Sequence, residues 1–67
     1  MNGVVIIRTK YGNEHTGEIN TLNALENITE AIKNKKEIHL RNLKGLVEDI
    51  PHKDIKHVFV AYENDIN

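Results

Sequence analysis

Two stretches near the ends of the chain consist of consecutive apolar residues, Val4 to Ile7 and Val58 to Tyr62. Successive side chains of a β-strand point to opposite faces, so a strand with one solvated face alternates apolar and polar residues. Neither stretch alternates, and both therefore predict strands that are covered on both faces. Because the two stretches lie at opposite ends of a short chain, we expect them to pair side by side in one sheet.

Three further strands are predicted between these two. Gly12 suits the tight turn after the first strand, and Gly17 inside the second strand marks a bend or a close backbone approach. Pro51 lacks a backbone donor and ends the fourth strand, and one turn of 3₁₀ helix leads into the last. The second, third and fourth strands are predicted over 14–20, 37–43 and 46–50.

From Thr21 to Lys36 the apolar period changes from 2 to 3.6, which predicts an amphipathic helix of about three turns. We expect its apolar stripe to cover the outer face of the two terminal strands. The stripe consists of Leu22, Leu25, Ile28 and Ile32. The predicted core consists of Val5, Ile7, Ile19, Ile38, Leu40, Ile50, Ile55 and one face of the last strand, either Val58 with Val60 or Phe59 with Ala61.

The 67 residues form a single predicted domain, 1–67, with a frayed polar tail over 63–67. A core of this size supplies only about 3–5 kcal/mol, and small domains usually add disulfides, metals or a partner. The chain has no cysteine, which excludes disulfides and thiolate metal sites. Association with further copies of the chain is therefore the expected support, and we predict a homo-oligomer.

The formal net charge of −1 gives the chain as a whole no attraction for phosphate backbones, so any nucleic-acid site must be local. No apolar run approaches the roughly 18 residues of a membrane span, and the amino terminus lacks the pattern of a signal peptide. We therefore expect a cytoplasmic protein without membrane partners. Abundant Asn, Ile and Lys indicate AT-rich codons, as in a low-GC bacterium or one of its phages.

Two segments resemble the small five-stranded barrels of the Sm-like and SH3-like type. One is Gly12-x₄-Gly17-x-Ile19, similar to the first half of the Sm motif, and the other is the closing segment from Gly45 to Ile55. The resemblance implies a mainly β fold with one helix, a five-stranded antiparallel barrel or bent sheet with the helix inserted between strands two and three. The alternative is an open α+β two-layer sandwich. The residues that line the RNA site of Sm-like proteins are not matched.

Catalysis and metal binding are not expected. The chain has no serine or cysteine nucleophile, and Glu48 and Asp49 are adjacent in a strand, so they point to opposite faces. The four histidines lie on separate elements without the close spacing of zinc ligands. They are His15, His39, His52 and His57. The sequence therefore predicts no enzyme, no metal site and no cofactor.

Two binding functions are left open. The first is a non-catalytic oligomeric module that binds nucleic acid through a local basic patch repeated in an Sm-like assembly. The second is a protein-interaction or inhibitor module with a bacterial or phage partner, acting through a strand edge or the apolar helix face. Candidate nucleic-acid residues are Lys33, Lys35, Lys36, Arg41, Lys44 and Tyr11. Candidate interface residues are Val4, Ile6, Leu25, Ile28, Ile32, Val58, Val60 and Tyr62.

Overall fold

The computed structural model describes residues 2–63, which form five β-strands and one α-helix. A 3₁₀ turn over His52–Asp54 precedes the last strand, as predicted. In chain order the elements are β1 (Asn2–Thr9), β2 (Glu14–Ile19), α1 (Leu22–Lys33), β3 (Ile38–Arg41), β4 (Val47–Ile50) and β5 (Ile55–Glu63). The predicted order, with the helix between β2 and β3, is confirmed. Of the predicted tail, residues 64–67 lie outside the described residues.

The first strand, β1, is the centre of a three-stranded antiparallel sheet in the order β2-β1-β5. Its register with β5 runs from Asn2 opposite Glu63 to Thr9 opposite Ile55. The predicted pairing of the two terminal apolar strands is therefore confirmed. On its other side β1 forms a hairpin with β2, and the turn contains Gly12 with φ +88°, a conformation that L side chains rarely adopt.

The strands β3 and β4 form a separate two-stranded antiparallel sheet. A single bridge between Gly17 of β2 and Asn42 connects it to the first sheet. The barrel form of the prediction is wrong, because closure needs a continuous ladder around all five strands and none runs between β4 and β5 among residues 2–63. Two strands of four residues each, with an inserted helix beside them, are too short to complete that ladder.

The two sheets are in close contact at Gly17. A Cβ atom at this position would lie 2.5 Å from the carbonyl oxygen of Arg41 and 2.6 Å from Cδ1 of Leu40. No other residue type fits without displacing the backbone of the β3 end. The glycine predicted to mark a bend or a close approach therefore permits the crossing of β2 and β3.

The core lies between the inner face of the first sheet and the β3–β4 hairpin. Val60 and Val58 of β5 are opposite Val5 and Ile7 of β1, so they share the inner face with these fully buried residues. Ile55 and Val58 pack against the core as partly buried residues. The buried hydrophobic residues are Val5, Ile7, Ile19, Ile28, Ile38, Leu40 and Ile50, which confirms most of the predicted core.

The helix α1 packs into this same core and does not cover the outer face of β1 and β5. Ile28 is buried, and Ala24, Leu25 and Ala31 pack against the core beside it. The expected placement of the helix is wrong because α1 starts only two residues after β2, which holds it against β2 and β3. Thr21 caps the helix by accepting a hydrogen bond from the backbone N–H of Ala24 at 3.1 Å. Among residues 2–63, no helix has the length and apolar character needed to cross a bilayer.

We expect Ile28→Ala to lower the free energy of unfolding by about 2–5 kcal/mol, because it removes a side chain from a closed core. Ile32 lies one helical turn further along and provides a matched control. Ile28 is 7% exposed and Ile32 is 37% exposed, so Ile32→Ala should have a clearly smaller effect. Urea unfolding followed by circular dichroism measures both variants, and equal losses would contradict the described packing of α1.

Candidate interaction surface

The outer face of the β2-β1-β5 sheet carries an apolar patch that no other part of residues 2–63 covers. Val4 is opposite Ala61, and Ile6 is opposite Phe59, so the four side chains are neighbours across the two strands. Ile6 is partly buried and the other three are exposed, with half of Phe59 accessible. We call Val4, Ile6, Phe59 and Ala61 the outer patch.

Polar and charged side chains border the outer patch at the end of the sheet where Arg8 lies. The guanidinium carbon of Arg8 lies 5.8 Å from the centre of the Phe59 ring, within the range of a cation–π contact. The His57 ring stacks on the same phenyl ring, with centroids 5.8 Å apart. Arg8 also donates to a carboxylate oxygen of Glu14 at 2.6 Å. An apolar centre with an aromatic residue, enclosed by a polar rim, is the usual anatomy of a protein interface.

The strand β5 is also a sheet edge. It pairs only with β1 in the described part of the chain, so its other side offers backbone N–H and C=O groups for a further strand. Its first half completes the core through Ile55 and Val58. In its second half, Val60 is 38% and Tyr62 is 51% exposed. This half of β5 therefore extends past the protein's own core.

The predicted interface residues divide among three locations. Val4 and Ile6 belong to the outer patch, and Val58, Val60 and Tyr62 lie on the inner face of β5. The remaining three are on α1, where Leu25 packs against the core, Ile28 is buried and Ile32 is partly accessible. The apolar face of the helix is thus largely used within the chain. Phe59 and Ala61 were not among the predicted interface residues, and only the register with Val4 and Ile6 assigns them to the outer patch.

The candidate nucleic-acid residues lie in three places. Lys33, Lys35 and Lys36 are at the end of α1 and in the connection to β3. Arg41 and Lys44 are at the other end of β3, where the Arg41 guanidinium donates to the carbonyl of Gly45 at 2.9 Å. Tyr11 lies in the β1–β2 turn, and its hydroxyl is 3.4 Å from an Asp54 carboxylate oxygen. Arg41 and Tyr11 thus each have a hydrogen-bond partner within the chain.

Two histidines meet carboxylates through the register of the β3–β4 hairpin. His39 is opposite Asp49, and its Nδ1 lies 2.5 Å from Oδ1 of Asp49 and 3.8 Å from Oε1 of Glu37. These three exposed residues hold their potential ligand atoms within 4.8 Å of one another, a spacing that could hold a metal ion. The direct hydrogen bond between His39 and Asp49 uses two of these atoms. Sequence spacing could not reveal this cluster, because pairing across the hairpin creates it.

On the other face, His15 of β2 contacts the carboxylate of Glu48 in β4 and so links the two sheets. Asn42 donates to Glu48 at 2.8 Å. These two contacts, with the Asn42 hydrogen bond the larger, hold the pKa of Glu48 below its ordinary value. Nδ1 of His52 is buried without a hydrogen-bond partner in the described range. The four histidines thus have different surroundings, and they do not converge on one centre.

The hydrogen bond to Asp49, supported by the charges of Asp49 and Glu37, raises the pKa of His39 above its ordinary value of 6.5. The protonated form of His39 is therefore favoured in the folded chain. Its contribution to stability is complete below the ordinary pKa and is lost as the pH rises through the folded-state pKa. We expect NMR titration to show the raised pKa and Asp49→Asn to lower it.

Asp54→Asn serves as the control for this titration, since Asp54 contacts the Tyr11 hydroxyl, whereas the partners of His39 are Asp49 and Glu37. It should leave the His39 titration unchanged. A His39 titration curve that is the same in wild type and Asp49→Asn would contradict the described pair.

Comparison of the chain with protein-family models, with curated proteins and with solved structures returns no match. Its function is therefore inferred from the geometry of the described chain. Its most distinctive feature is the layer formed by β1 and β5, which combines an exposed apolar patch with an unpaired strand edge.

Proposed function

We propose that the protein is a non-catalytic binding module that assembles with copies of itself through the β1–β5 layer. The observation that carries this proposal is the outer patch, which leaves the central strand of the sheet covered on only one face. Contiguous apolar surface surrounded by polar residues generally marks a binding site in a soluble protein. The same layer also provides the free edge of β5.

The size of the chain supports self-association. A domain of this length buries only about 60% of the surface that its unfolded chain exposes, so its core is small. Complete burial of one large apolar side chain contributes about 1.5–3 kcal/mol. Covering Phe59 and its neighbours in an interface would therefore add an amount comparable to the stability of the isolated domain. A further copy of the chain is also a partner that is present in every solution of the protein.

The alternative surfaces have less support. In the apolar stripe of α1, Leu25 and Ile28 pack in the core. Leu22 and Ile32 are exposed but lie near opposite ends of the helix, so they offer a partner two separate side chains and no continuous patch.

The candidate basic residues are divided between the two ends of β3, with Lys33, Lys35 and Lys36 before it and Arg41 and Lys44 at its other end. The three side chains of the Glu37, His39 and Asp49 cluster are all exposed to water, whereas catalysis generally uses groups in a site that excludes water.

We expect sedimentation equilibrium at micromolar concentration to give a mass at least twice the 7.7 kDa of the chain. Phe59→Ser should shift the mass toward the monomer while the circular dichroism spectrum stays the same, because half of the Phe59 side chain is exposed and the core does not depend on it. Tyr11→Ser is the matched control, since Tyr11 is also an exposed aromatic residue but lies in the β1–β2 turn. A monomeric wild type, or an oligomer unchanged by Phe59→Ser, would overturn the proposal.

Nucleic-acid binding is tested separately with labelled single-stranded RNA and DNA over a salt series. Binding that depends on phosphate contacts weakens steeply as salt rises. We expect no such binding near physiological salt. Steep, salt-sensitive binding that is lost in a Lys35→Ala/Lys36→Ala double variant would instead favour the basic residues as the functional surface.

A further inference from the structure

We infer that a second copy of the chain binds at the free edge of β5, with the two β5 strands antiparallel and Val60 at the two-fold axis. The two three-stranded sheets would then form one continuous six-stranded sheet. This inference rests on the proposed self-association and concerns the free edge of β5. Edge pairing would bring Phe59 and Ala61 of the two copies together and join the two outer patches into one face, on which Val4 and Ile6 stay at the surface. Three observations carry it: the regular part of β5, the residues placed opposite each other, and the composition of the edge.

The regular part of β5 defines the centre of the pairing. The register with β1 shifts where Arg8 is opposite His57 and Thr9 is opposite Ile55, so Lys56 is an extra residue in β5. A bulge of this kind twists a strand and interrupts its edge. The uninterrupted stretch therefore runs over 57–63. Pairing these described residues with the same residues of a second copy places Val60 at the centre.

The centre fixes which side chains meet. A two-fold axis perpendicular to the sheet keeps inner faces with inner faces, so residues at equal distances before and after Val60 lie opposite each other. The resulting pairs are Val58 with Tyr62, Phe59 with Ala61, and His57 with Glu63. Each pair occurs twice in the dimer. At both ends an imidazole meets a carboxylate, and between them apolar side chains meet apolar side chains.

A shift of the axis by one residue loses this complementarity. With Phe59 at the axis, Glu63 would be opposite Ile55 beyond the bulge, and His57 would be opposite Ala61. Both polar side chains would then lie beside apolar partners. With Ala61 at the axis, Glu63 would be opposite Phe59, and His57 would have no partner among residues 2–63. The register centred on Val60 is the one in which polar and apolar side chains both have suitable partners.

The edge itself lacks the features that prevent strand addition. Proteins commonly protect edges with proline, inward-pointing charges or bulges. The only proline of the chain is Pro51, and the bulge at Lys56 lies before the regular stretch. Within 57–63 the one acidic or basic side chain other than histidine is Glu63, at the end. The opposite free strand, β4, has only four residues and carries Glu48 and Asp49.

Cysteine cross-linking tests the register directly, because the chain contains no cysteine of its own. In Val60→Cys the two sulfur atoms would lie opposite each other across the axis, at a Cβ separation of about 4.5–5.5 Å that permits a disulfide with small backbone adjustment. We expect Val60→Cys to form a covalent dimer faster than Phe59→Cys or Ala61→Cys under mild oxidation. In those two variants the thiols are diagonal neighbours, about 7–8 Å apart.

Leu43→Cys is the control for random collision, since Leu43 is exposed in the β3–β4 turn. Fastest dimer formation in Phe59→Cys or Ala61→Cys would overturn the register. If Val60→Cys forms covalent dimers no faster than Leu43→Cys, edge pairing is wrong. Self-association would still hold in that case if sedimentation shows an oligomer. A mixture of Val47→Cys and Val60→Cys tests a different assembly. If the two variants cross-link preferentially to each other, β4 of one copy pairs head-to-tail with β5 of the next, and the proposed dimer is wrong.

The His57 and Glu63 pair offers a second measurement in the protein without cysteine. His57→Glu places like charges opposite each other at both ends of the interface and should raise the dissociation constant about tenfold. Adding Glu63→His exchanges the two residues and should restore most of the affinity. A double variant that stays as weak as His57→Glu alone would show that the two residues do not meet.

Discussion

The organisation of the protein depends on one constraint. The central strand β1 is apolar on both faces, but the two elements that could cover it, α1 and the β3–β4 hairpin, lie on the same side. The helix α1 and the β3–β4 hairpin pack together against the inner face, where Val5 and Ile7 are fully buried. The outer face receives neither element. Val4 and Ile6 therefore stay at the surface together with Phe59 and Ala61 of β5.

The close approach at Gly17 explains why both elements lie on one side. A hydrogen-bonded bridge connects Gly17 to Asn42, and the missing side chain lets the β3 backbone cross β2 directly. The contact of His15 with Glu48, and the hydrogen bond from Asn42 to the same carboxylate, hold the hairpin near this crossing. Since α1 connects β2 to β3, its ends are fixed by the same crossing. The helix is consequently held on the inner side.

The sequence predicted those features that depend on local pattern. Uninterrupted apolar runs indicated β1 and β5, the change of period indicated α1, and Gly17 indicated the close approach. Most of the core followed from alternation within each strand. What the sequence could not provide was the placement of one element on another, because this depends on contacts between residues far apart in the chain. The helix was therefore assigned to the wrong face, and the ladder was expected to close.

The same limit applies to the candidate surface. Val4, Ile6, Val60 and Tyr62 were predicted to be interface residues, whereas Phe59 was named only as an alternative core residue. Only the register, with Phe59 opposite Ile6 and Val60 opposite Val5, separates the two faces of β5. The cluster of His39 with Asp49 and Glu37 is likewise a product of register. Residues that act through cross-strand pairing are thus the ones that a single sequence hides most effectively.

The strand β5 connects the stability of the fold to assembly. Its first half is held by the core through Ile55 and Val58, whereas its second half has only β1 beside it and exposes Val60 and Tyr62. A strand paired on one side and partly solvated on its inner face gains order when a further strand pairs with its free edge. Any contact made only by the folded chain adds to its stability by mass action. The second half of β5, which contributes little to the core, is therefore the part that the proposed pairing with a second copy would order most.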